Sequence, residues 1–430
     1  MWWKIILILL ALFIIVTLIR AIFYKPKKIE GVKIEDADID ENKVAEHLSR
    51  AIQCKTISRS NPDEIDWSEF DKFHDFLDEA YPLIKQNTTK EKVSKASLIY
   101  RWKGKNPELE PMALLSHQDV VPVAEGTEND WTHDAFSGYN DGEIIWGRGA
   151  LDMKNHLICV MEAVESLMEE GFQPERDVYL CFGHNEEIVC SKESGADEIV
   201  KVLQSRGIHL DSVLDEGSAL LRLDLKGLIH TYIAAVGVAE KGYADMKLTV
   251  HDKGGHTSAA PKHSGMAKLA NMVQDIEKHQ FKSHMLPFLT ELFDTVGRKA
   301  TYLGRVVMCN VPLLKPIIKL VLKTIPESAS MVRTIQSISM CEGSPEPNVL
   351  PQRPNITVNF RPLPGDTVDD VEKHIRKAVR YKDLEVERLY SKEATAFSST
   401  DSRAFNAIKK VEEGLHPNDV AVAPYLVMGG

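Results

Sequence analysis

Between Glu41 and Leu214, short apolar runs alternate with amphipathic stretches, and this alternation narrows the possible folds more than any other feature of the chain. Ser97 to Trp102, Met112 to Leu115, Val178 to Phe182 and Ser212 to Leu214 have the length and composition of strands. Glu41 to Ile52, Ser68 to Lys85, His156 to Glu170 and Gly195 to Arg206 carry helical periodicity. Strands interleaved with helices predict an α/β sheet covered on both faces. Residues suited to metals lie close behind the strands: His117 and Asp119 in SHQDVVP, Glu186 and Glu187 in GHNEE, and Asp215 in LDEG, with Asp152 in GRGALDMK. Such folds place ligands in the crevice beyond the carboxyl ends of the strands.

From about Gly237 the pattern changes to a strand (Ala244 to His251), a Gly-rich turn, a helix (Met266 to His279) and a long apolar helical region (Val311 to Leu322). Strands at Arg333 to Met340 and Ile356 to Arg361, a helix at Val368 to Val379 and a last strand at Leu384 to Tyr390 complete a separate α+β unit. Ser402 to Glu413 and Val420 to Val427 then return to the style of the first domain. The expected domains are residues 41–236 and 393–430 for one body and 237–392 for an insertion. Val311 to Leu322 is too short to span a membrane and carries Lys315 and Lys319, which favours a core or lid helix.

The N-terminus is a different solvent problem. Ile5 to Ile19 is an unbroken apolar run between Trp2-Trp3-Lys4 and Arg20, followed by Tyr24 and Lys25. Counted from Trp2 to Tyr24, with interfacial aromatics and a snorkelling arginine, the segment is long enough to span a bilayer. Residues 1–24 are expected to be a signal anchor rather than a removed signal peptide, since no small-x-small cleavage site follows, and 25–40 a polar linker. The sequons Asn87-Thr88-Thr89 and Asn355-Ile356-Thr357 agree with a secretory-pathway protein, membrane-anchored or secreted, while the lysines after the apolar run oppose a lumenal body. Net charge is −11 with no dense basic stripe, which excludes nucleic acid as the expected partner. The six cysteines are widely spaced and without a CxxC pair, so neither a zinc ribbon nor a disulfide scaffold is expected.

A divalent zinc site uses imidazole and carboxylate ligands. A metal-bound imidazole generally donates its other N–H to a carboxylate or carbonyl, so Asp119 is expected to orient His117 rather than bind metal itself. Adjacent side chains diverge, which lets one of Glu186 and Glu187 hold metal while the other acts as general base.

SHQDVVPV, GRGALDMKN, GHNEE, LDEG, GGHTSAAP and NFRPLPGD occur in the order found in the aminoacylase and carboxypeptidase S family of di-zinc metallopeptidases, which the chain resembles from about Glu41 onward. Within that family it is most similar to the N-fatty-acyl-amino acid synthase/hydrolase branch. The resemblance implies a zinc-exopeptidase-type catalytic domain with an inserted ferredoxin-like lid, and two Zn²⁺ ions. It places His117 and Asp215 on one zinc, Asp152 between both and Glu187 on the second. Glu186 becomes the proton shuttle, Asp119 the partner of His117, and His256 the lid histidine that polarises the scissile carbonyl. Arg361 and Asn348 match positions that bind the substrate's carboxylate end. His184 and His156 match no ligand position.

The implied substrates are small N-acyl amino acids, with hydrolysis and reverse condensation both open, and a homodimer through the lid is possible within the family. Carboxypeptidase or dipeptidase activity on short peptides is the alternative. The family's last zinc histidine lies beyond Gly430, and His416 is a poor substitute for it, so a membrane-tethered binding protein without catalysis is the third expectation.

Overall fold

The computed structural model describes residues 2–26, 38–188, 194–217, 220–324, 326–416 and 420–429. The chain divides into two compact units, Glu35–Gly217 and Met1–Ile34 with Ser218–Gly430. That division falls ahead of the change of pattern at Gly237. Most of the expected linker, and Cys190, lie outside the described residues. The other five cysteines are free thiols.

The second unit opens with helix α1 (Trp2–Phe23), whose outer surface is apolar and mostly exposed. Within 35–217, α2 (Glu41–Ile52) starts where the Asp40 carboxylate accepts the N–H groups of Asn42 and Lys43, satisfying donors that the first helical turn leaves unpaired. The stretch expected as a single helix over Ser68 to Lys85 is two, α3 (Trp67–Ala80) and α4 (Pro82–Asn87). Pro82 lacks an N–H and disfavours helical backbone at Tyr81, so α3 stops there. Buried Glu165 of α5 (Lys154–Glu169) then accepts the N–H groups of Leu83 and Ile84, at 2.8 Å each, in place of a local cap. On the same helix Glu162 accepts from Tyr81 and pairs with His47, joining α5 to α2 and to the junction of α3 and α4.

Strands β1 (Thr88–Val93), β2 (Ser97–Trp102), β3 (Met112–His117), β4 (Val178–Gly183) and β5 (Ser212–Leu214) form one sheet in the order β1-β2-β4-β3-β5. The β3–β4 and β3–β5 pairs are parallel and the other two antiparallel. Leu98, Tyr100, Leu180 and Phe182 pack on one face against α2 to α5. Ile99, Ala113, Tyr179 and Cys181 face α6 (Gly195–Ser205) through Ile199 and Leu203. Both faces are therefore covered, and the parallel strands β3, β4 and β5 send their carboxyl ends to one edge.

In the other unit, β6 (Leu220–Leu225) and β7 (Ile229–Glu240) were not legible from the sequence pattern and form a three-stranded sheet with the last strand of the chain. A four-stranded antiparallel sheet is built from β8 (Tyr243–Thr249), β10 (Ile335–Glu342), β12 (Asn355–Arg361) and β13 (Glu385–Lys392), after β9 (Gly255–His256) has paired with β11 (Val349–Leu350) as a small ribbon. With α7 (Gly265–Lys278) following β8 and a later helix over Val368–Ala378, the connectivity is β-α-β-β-α-β, the expected ferredoxin-like pattern. Its core joins Met246, Leu248, Val358 and Phe360 to Leu269, Met272, Val371 and Ile375. Between α7 and β10 lie α8 (Pro287–Lys299), α9 (Tyr302–Met308) and α10 (Val311–Leu322), followed later by α11 (Val368–Ala378) and α12 (Arg403–Leu415). The closing strand β14 (Val420–Val427) runs parallel to β7.

Asn355 is 8% exposed and its amide donates to Glu342, so that sequon is not presented for glycosylation in the folded chain. Asn87 is exposed.

Candidate metal centre

His117 ends β3, Glu186 and Glu187 follow β4, and Asp215 and Glu216 follow β5, so the three parallel strands deliver their chemistry to one edge of the sheet. Asp152 comes from the loop ahead of α5. Gly149, three residues before it, has φ +83°, and a Cβ there would meet Val120 Cγ1 at 2.7 Å, so this tight approach needs glycine. Lys154 is fully buried just beyond, donating to the carbonyls of Ala51 and Cys54 at 2.9 and 2.6 Å, which fixes the start of α5. Burial pushes its pKa down to about 8.

Asp119 is completely buried and holds the constellation from behind. Its two carboxylate oxygens accept the backbone N–H groups of Glu186 at 3.1 Å and Glu187 at 3.2 Å. His117 Nδ1 lies 3.0 Å from the Asp119 carbonyl and 3.4 Å from its carboxylate. A ring whose Nδ1–H is so engaged offers Nε2 as the ligand atom. That Nε2 faces Asp152 Oδ1 at 3.1 Å, Glu216 Oε2 at 3.7 Å and Glu186 Oε2 at 3.8 Å.

The spacing suits a cation. Ligand bonds of about 2.0–2.2 Å in tetrahedral geometry separate donor atoms by roughly 3.4 Å, and the distances from His117 to Asp152 and Glu216 bracket that value. These three residues form the candidate site among the described residues. Without a cation the cluster is electrostatically unsettled. Burial, with the charges of Glu216, Asp119 and Glu187 outweighing that of His117, raises the Glu186 pKa to about 7. Burial and Asp152 raise that of Glu187, and burial raises that of Asp215. Burial opposes charge on His117, yet Asp119 and Glu216 lift its pKa to about 11.

Sequence reasoning passed over Glu216. The logic applied to Glu186-Glu187, two adjacent acids diverging, applies equally to Asp215-Glu216, and was the available signal. The Asp215 carboxylate accepts the N–H of Glu216 at 2.8 Å, while the Glu216 carboxylate is the one placed near His117. His156 lies near enough to Asp215 for its charge to lower the Asp215 pKa, and its Nε2 is buried without a hydrogen-bond partner among the described residues. His184 belongs to the core: it is 2.7 Å from Ser97 Oγ, packs on Trp67 and Phe70, and burial pushes its pKa down to about 4.

His256, Asn348 and Arg361 lie in the other unit. The β9–β11 ribbon brings His256 and Asn348 together, with Thr257 N–H donating to the Asn348 carbonyl at 3.1 Å, and Ser258 N–H donating to His256 Nδ1. Arg361 ends β12, donates to the Gly429 carbonyl at 2.7 Å and stacks over Tyr243.

Residues 113–430 match the model of peptidase family M20/M25/M40. The chain is 34% identical over 412 residues to the probable carboxypeptidase S-like 2 of Dictyostelium discoideum, covering 94% of this chain and 78% of that protein. It is 30% identical over 380 residues to the N-fatty-acyl-amino acid synthase/hydrolase PM20D1 of Xenopus tropicalis, covering 86% and 72%. An M20 family metallo-carboxypeptidase from Sulfolobus solfataricus shares the fold with a TM-score of 0.58 at 19% identity, over 91% of this chain and 87% of that one. A histidine and three carboxylates gathered beyond the strand ends of an α/β sheet, an accompanying ferredoxin-like unit and matches of this extent place the chain in peptidase family M20/M25/M40, whose members are metal-dependent hydrolases of peptides and related amides.

Proposed function

We propose that the chain hydrolyses the amide bond of N-acyl amino acids with two zinc ions held by His117, Asp152, Glu187 and the Asp215-Glu216 pair. The observation carrying this reading is the buried, back-bonded His117 whose Nε2 faces three carboxylates within 3.1–3.8 Å. Zinc so held supplies Lewis-acid polarisation of the scissile carbonyl and makes water a nucleophile near neutral pH. Glu186, whose backbone is pinned by Asp119 while its carboxylate stays half exposed, takes the proton from the attacking water and returns it to the leaving amine. Asp119 fixes the tautomer of His117. His256 donates to the developing oxyanion, a contribution of about 3–4 kcal/mol for a well-placed donor. Arg361 pairs with the substrate's free carboxylate and Asn348 binds the same end of the substrate, and near equilibrium the same groups run the condensation in reverse.

In this reading residues 41–236 and 393–430 are the catalytic domain and 237–392 its lid. Helix α1 is a retained signal anchor of a secretory-pathway protein: Arg20 donates to the Cys309 carbonyl at 2.9 Å and Tyr24 to Asp294 at 2.9 Å, so its last turns form part of the fold. The name of the Dictyostelium relative favours a second reading, removal of a C-terminal residue from short peptides. Both need a free carboxylate on the substrate, so profiling fatty-acyl amino acids against dipeptides separates them. Glu186→Gln is expected to abolish turnover with zinc content unchanged. Wild-type turnover in that variant refutes the mechanism.

A further inference from the structure

We infer that α9 and α10 form a membrane-docking face that lies on the anionic lipid surface beside the exit point of α1, holding this unit against the bilayer. The inference rests on α1 being a membrane span. Its 22 residues measure about 33 Å at 1.5 Å per residue, against a hydrocarbon core of about 30 Å. Thr17 lies roughly 23 Å, Arg20 roughly 27 Å and Tyr24 roughly 33 Å along that length, so Thr17 to Tyr24 cross the last several ångströms of hydrocarbon into the headgroups.

These are the residues of α1 that the rest of the unit grips. Thr17 and Ala21 are buried, the Leu18 carbonyl accepts from Tyr302 of α9 at 3.1 Å, and Arg20 reaches the Cys309 carbonyl and Asn310 Oδ1 just after α9, at 2.9 and 3.3 Å. Helix α9 is thereby tied at interfacial depth, and α10 begins at the next residue.

The surface presented there is apolar. On α10, Leu313, Ile317, Leu320 and Val321 are spaced i, i+4, i+7 and i+8, and are 54–65% exposed, while Val311 is buried. Leu303 and Val307 extend the stripe along α9. A contiguous exposed aliphatic stripe, unlike scattered single residues, marks a contact surface.

Charge identifies the partner. Between Asp294, which pairs with Arg298, and Glu327 there are six basic residues and no acid, in a chain whose net charge is −11. Lys299 and Lys319 donate to the Val420 and Ser283 carbonyls. Lys315 on α10 and Lys323, the residue that follows it, are the lysines left to solvent beside the stripe. An outward aliphatic stripe flanked by lysines is the form of a helix lying in the interface of an anionic bilayer. A second copy of this strongly acidic chain has the same basic segment and would oppose like with like at that face.

The test uses the full chain in nanodiscs of phosphatidylcholine with 30% phosphatidylserine. A photo-reactive benzoylphenylalanine replaces Leu320, or Leu389 on β13 as the control. Lipid adducts at 320, sparse at 389, are expected, falling severalfold in pure phosphatidylcholine or with Lys315→Glu and Lys323→Glu together. Adducts to a second copy of the chain, or no lipid adducts at 320, overturn the inference. Resistance to alkaline carbonate extraction from membranes reports on α1 separately, so a chain that resists extraction but gives no adduct at 320 leaves the span standing and removes the docking face alone.

Discussion

Asp119→Asn isolates the residue that ties the centre together. Asp119 is fully buried and each carboxylate oxygen takes one backbone N–H, from Glu186 at 3.1 Å and from Glu187 at 3.2 Å. An amide has the same shape but only one acceptor, so one N–H meets an NH₂ instead of an oxygen. A hydrogen bond to a charged group is worth about 1.5–3 kcal/mol, and an unsatisfied buried donor costs a comparable amount, so local stability is expected to fall by about 2–3 kcal/mol. At 1.4 kcal/mol per tenfold, amide exchange at Glu186 and Glu187 should speed up roughly 30- to 150-fold. Hydrogen exchange of the metal-free chain, followed by mass spectrometry on peptides covering 183–188, reads this directly. Because His117 loses its charged partner, zinc affinity measured against a chelator should also weaken about 10–100-fold. Wild-type protection at 186 and 187 together with wild-type zinc affinity would refute the assignment of Asp119 as the anchor.

Further outcomes follow from the same geometry. With its pKa raised to about 11, His117 is protonated in the metal-free chain at neutral pH, so metal uptake should release a proton, seen as a buffer-dependent heat in calorimetry; equal heats in phosphate and Tris contradict this. The raised pKa also fixes a sign: the stability His117 lends the metal-free fold is complete below its unfolded pKa of about 6.5 and is lost as pH rises through about 11. Glu165→Ala removes the acceptor for two N–H groups of α4 and should lower stability by about 2–3 kcal/mol, with faster exchange at Leu83 and Ile84; unchanged exchange there would show that α4 is capped by other means. Gly149→Ala combines a positive φ with a 2.7 Å clash on Val120, so the Asp152 loop should shift and metal affinity drop while the urea midpoint changes modestly; unaltered affinity counts against the loop's rigidity.

Much of this could be read locally. The periodicity and the Asp40 cap define Glu41–Ile52, and continuous apolar character defines Ser97–Trp102 as a strand buried inside the sheet. Where pattern and structure part, long-range partners are responsible. The α3–α4 break is announced by Pro82, but the continuation of α4 depends on Glu165, some eighty positions away. β7 lacks a clean period-two pattern because neighbouring residues are buried together, Ala234 with Ala235 and Val238 with Ala239, where the strand is flanked by β6 and β14 and packed by helix α8. α8 hides because its apolar face is set by Phe288, Leu289 and Val296, read against no neighbouring cap.

The division is clearest at the metal centre. Sequence alone supplied the residue types: a histidine and paired acids behind apolar strands, because strand ends and short turns are local and a divalent cation favours imidazole and carboxylate donors. Only tertiary structure decided which of two neighbouring acids, Asp215 or Glu216, turns toward His117, because that depends on the path of the chain after β5 and on the backbone N–H that Asp215 captures. It also decided that Asp119 binds the backbone of Glu186 and Glu187, a contact across nearly seventy residues that exists only once β3 and β4 lie side by side.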